Sequence, residues 1–128
     1  MSTARPLTGV RVLVVEDDEA TRYAWCRYLA FAGATVTDAA DGVQARQALQ
    51  SDVVDVLVLD LVLPDTDGPQ LLAESRARLQ GLVAIAVTAF DDNERRTQAL
   101  TAGFAAYLVK PILPSALVQE VARLIGPR

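Results

Sequence analysis

The sequence predicts an α/β domain in which five parallel strands form one sheet that is covered by helices on both faces. Apolar runs alternate along the 128 residues with stretches of helical periodicity, which gives five strand–helix pairs in succession. The strand segments are continuously apolar, as is typical of parallel strands that are buried on both faces. Because parallel crossover connections are right-handed, these pairs are expected to build a doubly wound fold.

The first two strand–helix pairs are predicted at the N-terminal end. The Val and Leu content of residues 10–15 predicts the first strand, and residues 18–32 have the periodicity of a helix. Gly33 follows at the position where a left-handed glycine commonly ends a helix. A weaker strand is predicted over residues 34–37, and a short helix over residues 41–50.

The third strand is the most strongly marked element. Residues 53–59 are apolar except for one aspartate and predict a buried strand. A helix is predicted over residues 67–79, because Pro69 is tolerated in a first helical turn and Gly81 lies just behind the last one. The fourth strand is predicted over residues 82–87.

The last three elements complete the alternation. A helix is predicted over residues 91–101 from a capping box that joins Asp91 to Glu94. Residues 105–109 predict the fifth strand, and residues 114–125 predict a final amphipathic helix. The expected apolar face of that helix consists of Leu113, Leu117, Val121 and Leu124.

Length, composition and charge exclude several classes of protein. A chain of this length fits one domain, here an arm over residues 1–9 and a domain over residues 10–126. The net charge of −4 argues against nucleic acid as a direct partner, and no apolar stretch is long enough to span a membrane. The absence of histidine excludes the usual zinc sites and Ser/His catalysis. Cys26 is the only cysteine, so no disulfide forms within the chain and a cytoplasmic location is expected.

Acidic residues follow two of the predicted strands at the point where each strand ends. The first strand runs into Glu16 and Asp17, and the third runs into Asp60. In the flavodoxin-like (βα)5 strand order 2-1-3-4-5, ligands bind beyond the carboxyl ends of strands 1 and 3. Carboxylates about 5 Å apart repel by about 3 kcal/mol per pair at an effective dielectric constant of about 20, so the cluster is costly unless it is protonated or neutralised by a cation. Oxygen-only ligands favour Mg²⁺. The neighbouring Asp18 and Asp67 are interpreted as helix caps.

Two more polar residues lie at the ends of the later strands. Thr88 closes the fourth strand and Lys110 follows the fifth, so both are expected at the same edge of the sheet as the carboxylates. An ammonium, a hydroxyl and a divalent cation around one carboxylate match the needs of phosphoryl transfer. Asp60 is therefore the candidate nucleophile, which would form an aspartyl phosphate.

Four segments, in this order and at these separations, resemble the receiver domain of two-component response regulators. They are Val12 to Asp18, Asp60 to Gly68, Val87 to Ala89 and Tyr107 to Pro111. The resemblance extends from about residue 10 to residue 125. Residues 7–13 are similar to the lead-in of receiver domains in hybrid histidine kinases, so a stand-alone regulator and a domain of a larger protein both stay open.

The resemblance implies a role for each site residue. Asp60 would take a phosphoryl group from the phosphohistidine of a sensor histidine kinase or a histidine phosphotransfer domain. Asp17 and Asp60 would bind Mg²⁺, for which Mn²⁺ could substitute, with Glu16 acting through water and Val62 through its backbone carbonyl. Lys110 would contact the phosphoryl group, and its bond to the following proline is typically cis.

The resemblance also implies a conformational switch. Thr88 would move toward the phosphoryl group and Tyr107 would rotate inward, which changes the surface formed by helix 4, strand 5 and helix 5. Homodimerisation through that surface is a further expectation. Val62 and Phe90, each two residues beyond a site residue, are apolar and would not orient an attacking water. Slow self-dephosphorylation is therefore expected.

Three other functions are compatible with this fold. A docking module that works without phosphorylation would not need the polar residues at the four strand ends. A phosphatase with an aspartyl nucleophile usually has a second carboxylate two residues later, where this chain has Val62. A flavin carrier would need a phosphate-binding loop after the first strand, and the sequence has none there. A signalling phosphoacceptor, rather than an enzyme with a free substrate, is therefore favoured.

Two remaining sets of residues are given structural interpretations. The aromatic residues of the first helix could form a docking face for a kinase helix bundle, but a partly core position is favoured for them. They are Tyr23, Trp25, Tyr28 and Phe31. The arginine-rich segments 74–78 and 94–96 are expected to face solvent.

Overall fold

A computed structural model describes residues 5–127 of the chain, in which strands and helices alternate strictly. The strands are β1 (Arg11–Val15), β2 (Thr35–Ala39), β3 (Val56–Asp60), β4 (Val83–Thr88) and β5 (Ala106–Val109). The helices are α1 (Glu19–Phe31), α2 (Gly42–Ser51), α3 (Gly68–Arg78), α4 (Asn93–Ala102) and α5 (Pro114–Ile125). The strands form one parallel sheet in the order β2-β1-β3-β4-β5, which confirms the predicted topology. In this part of the chain, no helix has both the length and the hydropathy to cross a bilayer.

The hydrophobic core has one layer on each face of the sheet. One face is covered by α1 and α5, whose buried side chains are Trp25, Leu29, Leu117 and Val121. The other face is covered by α2, α3 and α4, and Ala99 is the one buried residue of α4. Every residue of β3 is buried, so the strand that ends in Asp60 lies in the middle of the domain.

The start of α4 differs from the sequence prediction. The helix begins at Asn93 because its N-cap is Asp92, whose carboxylate accepts hydrogen bonds from the backbone N–H groups of Glu94 and Arg95. The predicted capping box from Asp91 to Glu94 is therefore wrong by one residue. Two adjacent aspartates offer equally good caps in sequence, and the path of the β4–α4 loop selects the second.

Several large apolar side chains are more exposed than predicted. Trp25 is buried, but the other aromatic residues of α1 are exposed, namely Tyr23, Tyr28 and Phe31. A helix with 3.6 residues per turn turns only one stripe toward the sheet, and here that stripe contains Trp25 and Leu29. Leu113 is 71 % exposed because it is the N-cap of α5, where the chain has not yet entered the helix. It is therefore wrong to place Leu113 on the apolar face of that helix.

The segment 74–78 is not simply solvent-facing. Ser75 is buried, and the guanidinium of Arg76 donates hydrogen bonds to the carbonyl oxygens of Leu82 at 3.0 Å and Gly103 at 2.9 Å. Arg76 thus ties α3 to the start of β4 and to the end of α4. Its partners are backbone carbonyls of other segments, 6 and 27 residues away, and backbone groups leave no side-chain pattern that could have predicted them.

Part of the predicted N-terminal arm packs on the domain. Residues 1–4 lie outside the described residues. Leu7 is fully buried, and its backbone N–H donates a hydrogen bond to the carbonyl of Ala32 at 2.9 Å. The segment around Leu7 thus covers the end of α1 and extends the core layer between the sheet and the helices α1 and α5.

Candidate active site

Polar residues from four strand ends meet at one edge of the sheet. Glu16 follows β1 directly, Asp60 is the last residue of β3 and Thr88 is the last residue of β4. Thr88 lies beside the end of β5 in the strand register, and Lys110 comes immediately after that strand. The parallel sheet therefore brings these side chains to the same edge, although they are spread over most of the sequence.

The side chain of Lys110 lies between two buried carboxylates. Its Nζ is 2.6 Å from Glu16 Oε1 and 3.0 Å from Asp60 Oδ2. Glu16 is fully buried and Asp60 is 4 % exposed. Among the residues that the structure describes, this ammonium is the only ionic or hydrogen-bonding partner of Glu16 Oε1. Lys110 therefore offsets the repulsion between two carboxylates that solvent screens poorly.

Burial and charge act together on these groups. Burial raises the pKa of Glu16 above its ordinary value, and hydrogen bonds from Lys110 and Asp18 partly oppose that effect. Burial by itself would lower the pKa of Lys110, but the hydrogen bonds to Glu16 and Asp60 raise it overall. The ammonium thus stays charged at neutral pH, and a charged donor is available beside Asp60.

Three carboxylates at the open side of the site could hold a cation. Glu16, Asp17 and Asp60 each offer one oxygen, and these oxygens lie within 4.8 Å of one another. Asp17 is exposed, so the group can be reached from solvent. Asp60 Oδ1 also accepts a hydrogen bond from the backbone N–H of Val62 at 2.9 Å, which orients the carboxylate. A set of hard oxygen ligands at this spacing fits a hard divalent cation.

Asp18 and Asp67 cap helices, as predicted. Asp18 accepts a hydrogen bond from the backbone N–H of Thr21 at 3.0 Å and is the N-cap of α1. Asp67 accepts one from the backbone N–H of Gln70 at 3.0 Å and is the N-cap of α3. Hydrogen bonds from the Thr21 hydroxyl and backbone hold the pKa of Asp18 below its ordinary value.

Thr88, Phe90 and Tyr107 form a connected group beside the carboxylates. Thr88 is 1 % exposed, and its Oγ1 accepts a hydrogen bond from the backbone N–H of Phe90 at 3.2 Å. The Tyr107 hydroxyl donates to the carbonyl oxygen of Phe90 at 2.7 Å, and the Tyr107 ring is buried. Tyr107 is therefore already directed inward in this structure. A cavity of about 320 Å³ lies between these three residues, α3 and α4.

The bond between Lys110 and Pro111 is cis, as the resemblance implied. Two contacts near Lys110 were not predicted from the sequence. The Lys110 Nζ lies 6.0 Å from the centre of the Trp25 ring, and Arg22 donates a hydrogen bond to the backbone carbonyl of Glu16 at 2.8 Å. Both contacts join α1 to the edge of the sheet, and neither has a local sequence signal.

Asp65 anchors the loop between β3 and α3, a role that sequence reasoning missed. Its carboxylate accepts hydrogen bonds from the backbone N–H groups of Gly42 at 3.0 Å and Val43 at 3.3 Å, at the start of α2. The hydrogen bond from Gly42 is the main cause that lowers the pKa of Asp65. The loop lies so close to α2 that a Cβ at Gly42 would be only 1.7 Å from Thr66 Oγ1. The chain that follows Asp60 is therefore held by a neighbouring helix.

Replacing Gly42 with alanine is expected to destabilise the protein by about 1–3 kcal/mol, because the added methyl group pushes the β3–α3 loop away from α2. Gly81→Ala is the matched control, since a Cβ there would have no atom within 4 Å and Gly81 has no positive φ. The control should change the free energy of unfolding by less than about 0.5 kcal/mol. Urea denaturation of both variants measures the difference, and equal stabilities would contradict the tight approach at Gly42.

Known proteins match this chain in sequence. A family model described as the response regulator receiver domain matches residues 12–122. The response regulator MprA of Mycobacterium ulcerans is 39 % identical over 117 residues, which cover 91 % of this chain and 50 % of that protein. The chain therefore spans about half the length of the curated relatives that it matches.

Solved structures share the fold. A CheY-like receiver domain protein from Methanospirillum hungatei JF-1 matches with a TM-score of 0.83 and 28 % identity, over 91 % of this chain and 93 % of that one. The chemotaxis response regulator CheY4 of Vibrio cholerae matches with a TM-score of 0.83 and 27 % identity, over 91 % of this chain and 99 % of that one. The region matched by the family model contains all four strand ends of the candidate site.

Proposed function

This chain belongs to the response regulator receiver domain family, and on that premise we propose that Asp60 accepts a phosphoryl group from a phosphohistidine. The observation that supports this role is the environment of Asp60. Its carboxylate is buried, oriented by the N–H of Val62 and paired with Lys110, while Asp17 leaves the site open to solvent. A carboxylate that only stabilised the fold would not need an opening beside it.

The transfer is an attack of the Asp60 carboxylate on phosphorus. One carboxylate oxygen forms the new P–O bond, the bond from phosphorus to the donor histidine breaks, and the histidine nitrogen keeps the electron pair. Lys110 is within 3.0 Å of the carboxylate, so its ammonium can turn to a phosphoryl oxygen with little movement. The Thr88 hydroxyl donates a hydrogen bond to another of these oxygens.

Mg²⁺ is the cation proposed for the acidic group, and Mn²⁺ accepts the same oxygen ligands. Asp17 and Asp60 would hold the ion directly, Glu16 would act through water, and the backbone carbonyl of Val62 would complete the protein ligands. When bound, the ion neutralises negative charge on the phosphoryl oxygens. The group fits because its three oxygens lie within 4.8 Å of one another and one of its residues is exposed.

The output of the switch is proposed to be a change in the surface of α4, β5 and α5. Since Tyr107 is already buried and bonded to the carbonyl of Phe90, the change begins with Thr88 and the β4–α4 loop. A groove of about 700 Å³ runs along β5 and α5, and the exposed Leu113 lies at its side. We propose this surface for homodimerisation.

The proposed phosphodonor is a sensor histidine kinase or a histidine phosphotransfer domain in the cytoplasm. The chain acts as a signalling phosphoacceptor that catalyses its own phosphotransfer, and it has no direct nucleic-acid contact. Its net charge of −4 agrees with a protein partner better than with a nucleic acid.

The proposed function is tested with acetyl phosphate, a small phosphodonor that needs no partner protein. In Mg²⁺ the intact mass should increase by one phosphoryl group, and peptide mapping after borohydride reduction should place it at Asp60. Removal of divalent cations with EDTA should prevent the gain. Absence of any gain in Mg²⁺ would favour the phosphorylation-independent docking module instead.

Self-dephosphorylation is expected to be slow. Val62 and Phe90 flank the site and are 48 % and 44 % exposed. Their side chains contain no polar atom that could position a water for attack. The acyl phosphate should therefore persist for minutes or longer once the phosphodonor is removed. Decay is followed by intact mass over time, and loss within seconds would contradict the expectation.

A further inference from the structure

One arginine of α4 is stacked on an aromatic ring beside the site. The guanidinium carbon of Arg95 lies 4.0 Å from the centre of the Phe90 ring, which is the shortest cation–ring distance among the residues that the structure describes. Arg95 also pairs with the Asp92 carboxylate at 3.7 Å. The Arg95 side chain is 50 % exposed, so it faces solvent as predicted for segment 94–96, and it makes these two contacts in addition.

The backbone of Phe90 is fixed by two hydrogen bonds, but its ring is not. The N–H of Phe90 donates to Thr88 Oγ1 and its carbonyl accepts from the Tyr107 hydroxyl. The residue is still 44 % exposed, so packing alone does not define the orientation of the ring. The stacked guanidinium of Arg95 supplies the missing constraint, because a planar cation over an aromatic face restricts where that face can point.

The ring and the guanidinium line a cavity that adjoins the phosphoryl site at Val62 and Thr88. Val62, Thr88, Phe90 and Arg95 all border this cavity of about 320 Å³. The backbone of Val62 bonds to Asp60, and Thr88 lies at the neighbouring strand end. The Phe90 ring therefore forms part of the cavity wall on the side of the site where Val62 and Thr88 lie.

We propose that Arg95 is a positioning residue that holds the Phe90 ring across this cavity and thereby sets the lifetime of the aspartyl phosphate. The proposal rests on the function proposed above. In the hydrolysis that it limits, a water oxygen forms a new bond to phosphorus while the bond from phosphorus to the Asp60 oxygen breaks. The electron pair of that bond returns to the carboxylate, and the proton of the water leaves to solvent.

Loss of the stacking contact should have a modest and measurable effect. Loss of a cation–π contact at an exposed site allows roughly a two- to five-fold change in the fraction of molecules in which the Phe90 ring is held across the cavity. Arg95→Ala is therefore expected to speed decay of the acyl phosphate by about two- to five-fold. Arg95→Lys keeps a cation that can reach the ring and should restore most of the wild-type lifetime.

The experiment compares acyl-phosphate decay in variants loaded with acetyl phosphate and then freed of it. Phe90→Ala should also speed decay, and the double variant of Phe90 and Arg95 should decay no faster than Phe90→Ala alone, because Arg95 acts through the ring. Arg46→Ala is the matched control. Arg46 forms a similarly exposed ion pair with Glu74 and does not line the cavity.

The possible results separate this proposal from the function on which it rests. A wild-type chain that gains no phosphoryl group would overturn both. Normal loading with equal lifetimes in wild type and Arg95→Ala would overturn only the role of Arg95. Additive effects of the Phe90 and Arg95 substitutions would show that Arg95 does not act through Phe90. Equally fast decay of the acyl phosphate in Arg46→Ala would show that only the charge matters. Either result would also overturn the role of Arg95. The thermal unfolding midpoint of Arg95→Ala should fall by no more than a few degrees, as expected for the loss of exposed contacts, and a much larger fall would show a structural defect and overturn the role of Arg95.

Discussion

Replacing Asp60 with asparagine is expected to abolish phosphoryl incorporation while leaving the fold intact. An amide is not a nucleophile, so no acyl phosphate can form. Asparagine can still accept the hydrogen bond from the N–H of Val62. At an effective dielectric constant of about 20, the substitution removes the repulsions of Asp60 from Glu16 and Asp17, about 3 kcal/mol each. It also removes the attraction of Asp60 to Lys110, about 5 kcal/mol, so the two changes nearly cancel. The free energy of unfolding without metal should therefore stay within about 1 kcal/mol of wild type.

Intact mass after treatment with acetyl phosphate and Mg²⁺ measures the loss, and urea denaturation in EDTA measures the stability. Asp67→Asn is the matched control, because it makes the same change at the other end of the β3–α3 connection, at the residue that caps α3. Asparagine caps helices as well as aspartate does, so this variant should accept phosphate normally. Undiminished labelling of Asp60→Asn would identify a different acceptor and reject the assignment.

Lys110→Met should be damaging in two separate ways. The initial rate of phosphorylation is expected to fall by about 10²–10³-fold, the usual effect of removing one donor that stabilises charge in the transition state. The protein should also lose about 2 kcal/mol of stability in EDTA, because Glu16 Oε1 then has no partner in a fully buried position. Breaking a completely buried ion pair costs more, but the Lys110 side chain is 25 % exposed.

The destabilisation of Lys110→Met should depend on pH and on metal. Burial raises the pKa of Glu16, and the loss of the ammonium raises it further. As pH falls through that raised value, the native variant binds a proton that neutralises Glu16, so its stability approaches that of wild type. Mg²⁺ should also reduce the difference in stability between Lys110→Met and wild type at neutral pH, because the bound ion then places a positive charge beside the carboxylates.

Denaturation with urea at several pH values, with and without Mg²⁺, provides the test. Arg46→Met is the control for loss of one positive charge, since its ion pair with Glu74 is exposed on both sides and contributes at most about 1 kcal/mol. A stability of Lys110→Met equal to wild type at neutral pH in EDTA would mean that the ammonium does not stabilise the buried Glu16.

The fold followed from local patterns because strand and helix periods are properties of short segments. Apolar runs predicted four of the five strands, a weaker segment predicted β2, and polar residues directly after the apolar runs predicted the edge at which the site would lie. Asp18 and Asp67 were also predictable, since a cap needs only its own side chain and the next turn of backbone. The error at Asp91 arose where two neighbouring residues satisfy the same local rule.

The remaining features depend on groups that are distant in sequence. The exposure of Tyr23, Tyr28 and Phe31 was decided by which stripe of α1 meets the sheet. The anchoring of the loop by Asp65 depends on a backbone N–H group that lies 23 residues away. A single sequence contains no local signal for such pairs, because the partner is a backbone group or the far side of another helix.

The amino-acid sequence was enough to predict the order of the elements, the topology of the sheet and the edge at which Glu16, Asp60, Thr88 and Lys110 collect. Those properties depend on apolar periodicity and on where each strand ends, and both are written in consecutive residues. The contacts of Lys110 with Glu16 and Asp60, and the stacking of Arg95 on Phe90, became visible only in the folded domain. Side-chain pairing is set by distances of a few ångströms between separate elements, and these distances exist only once the sheet and its helices have packed.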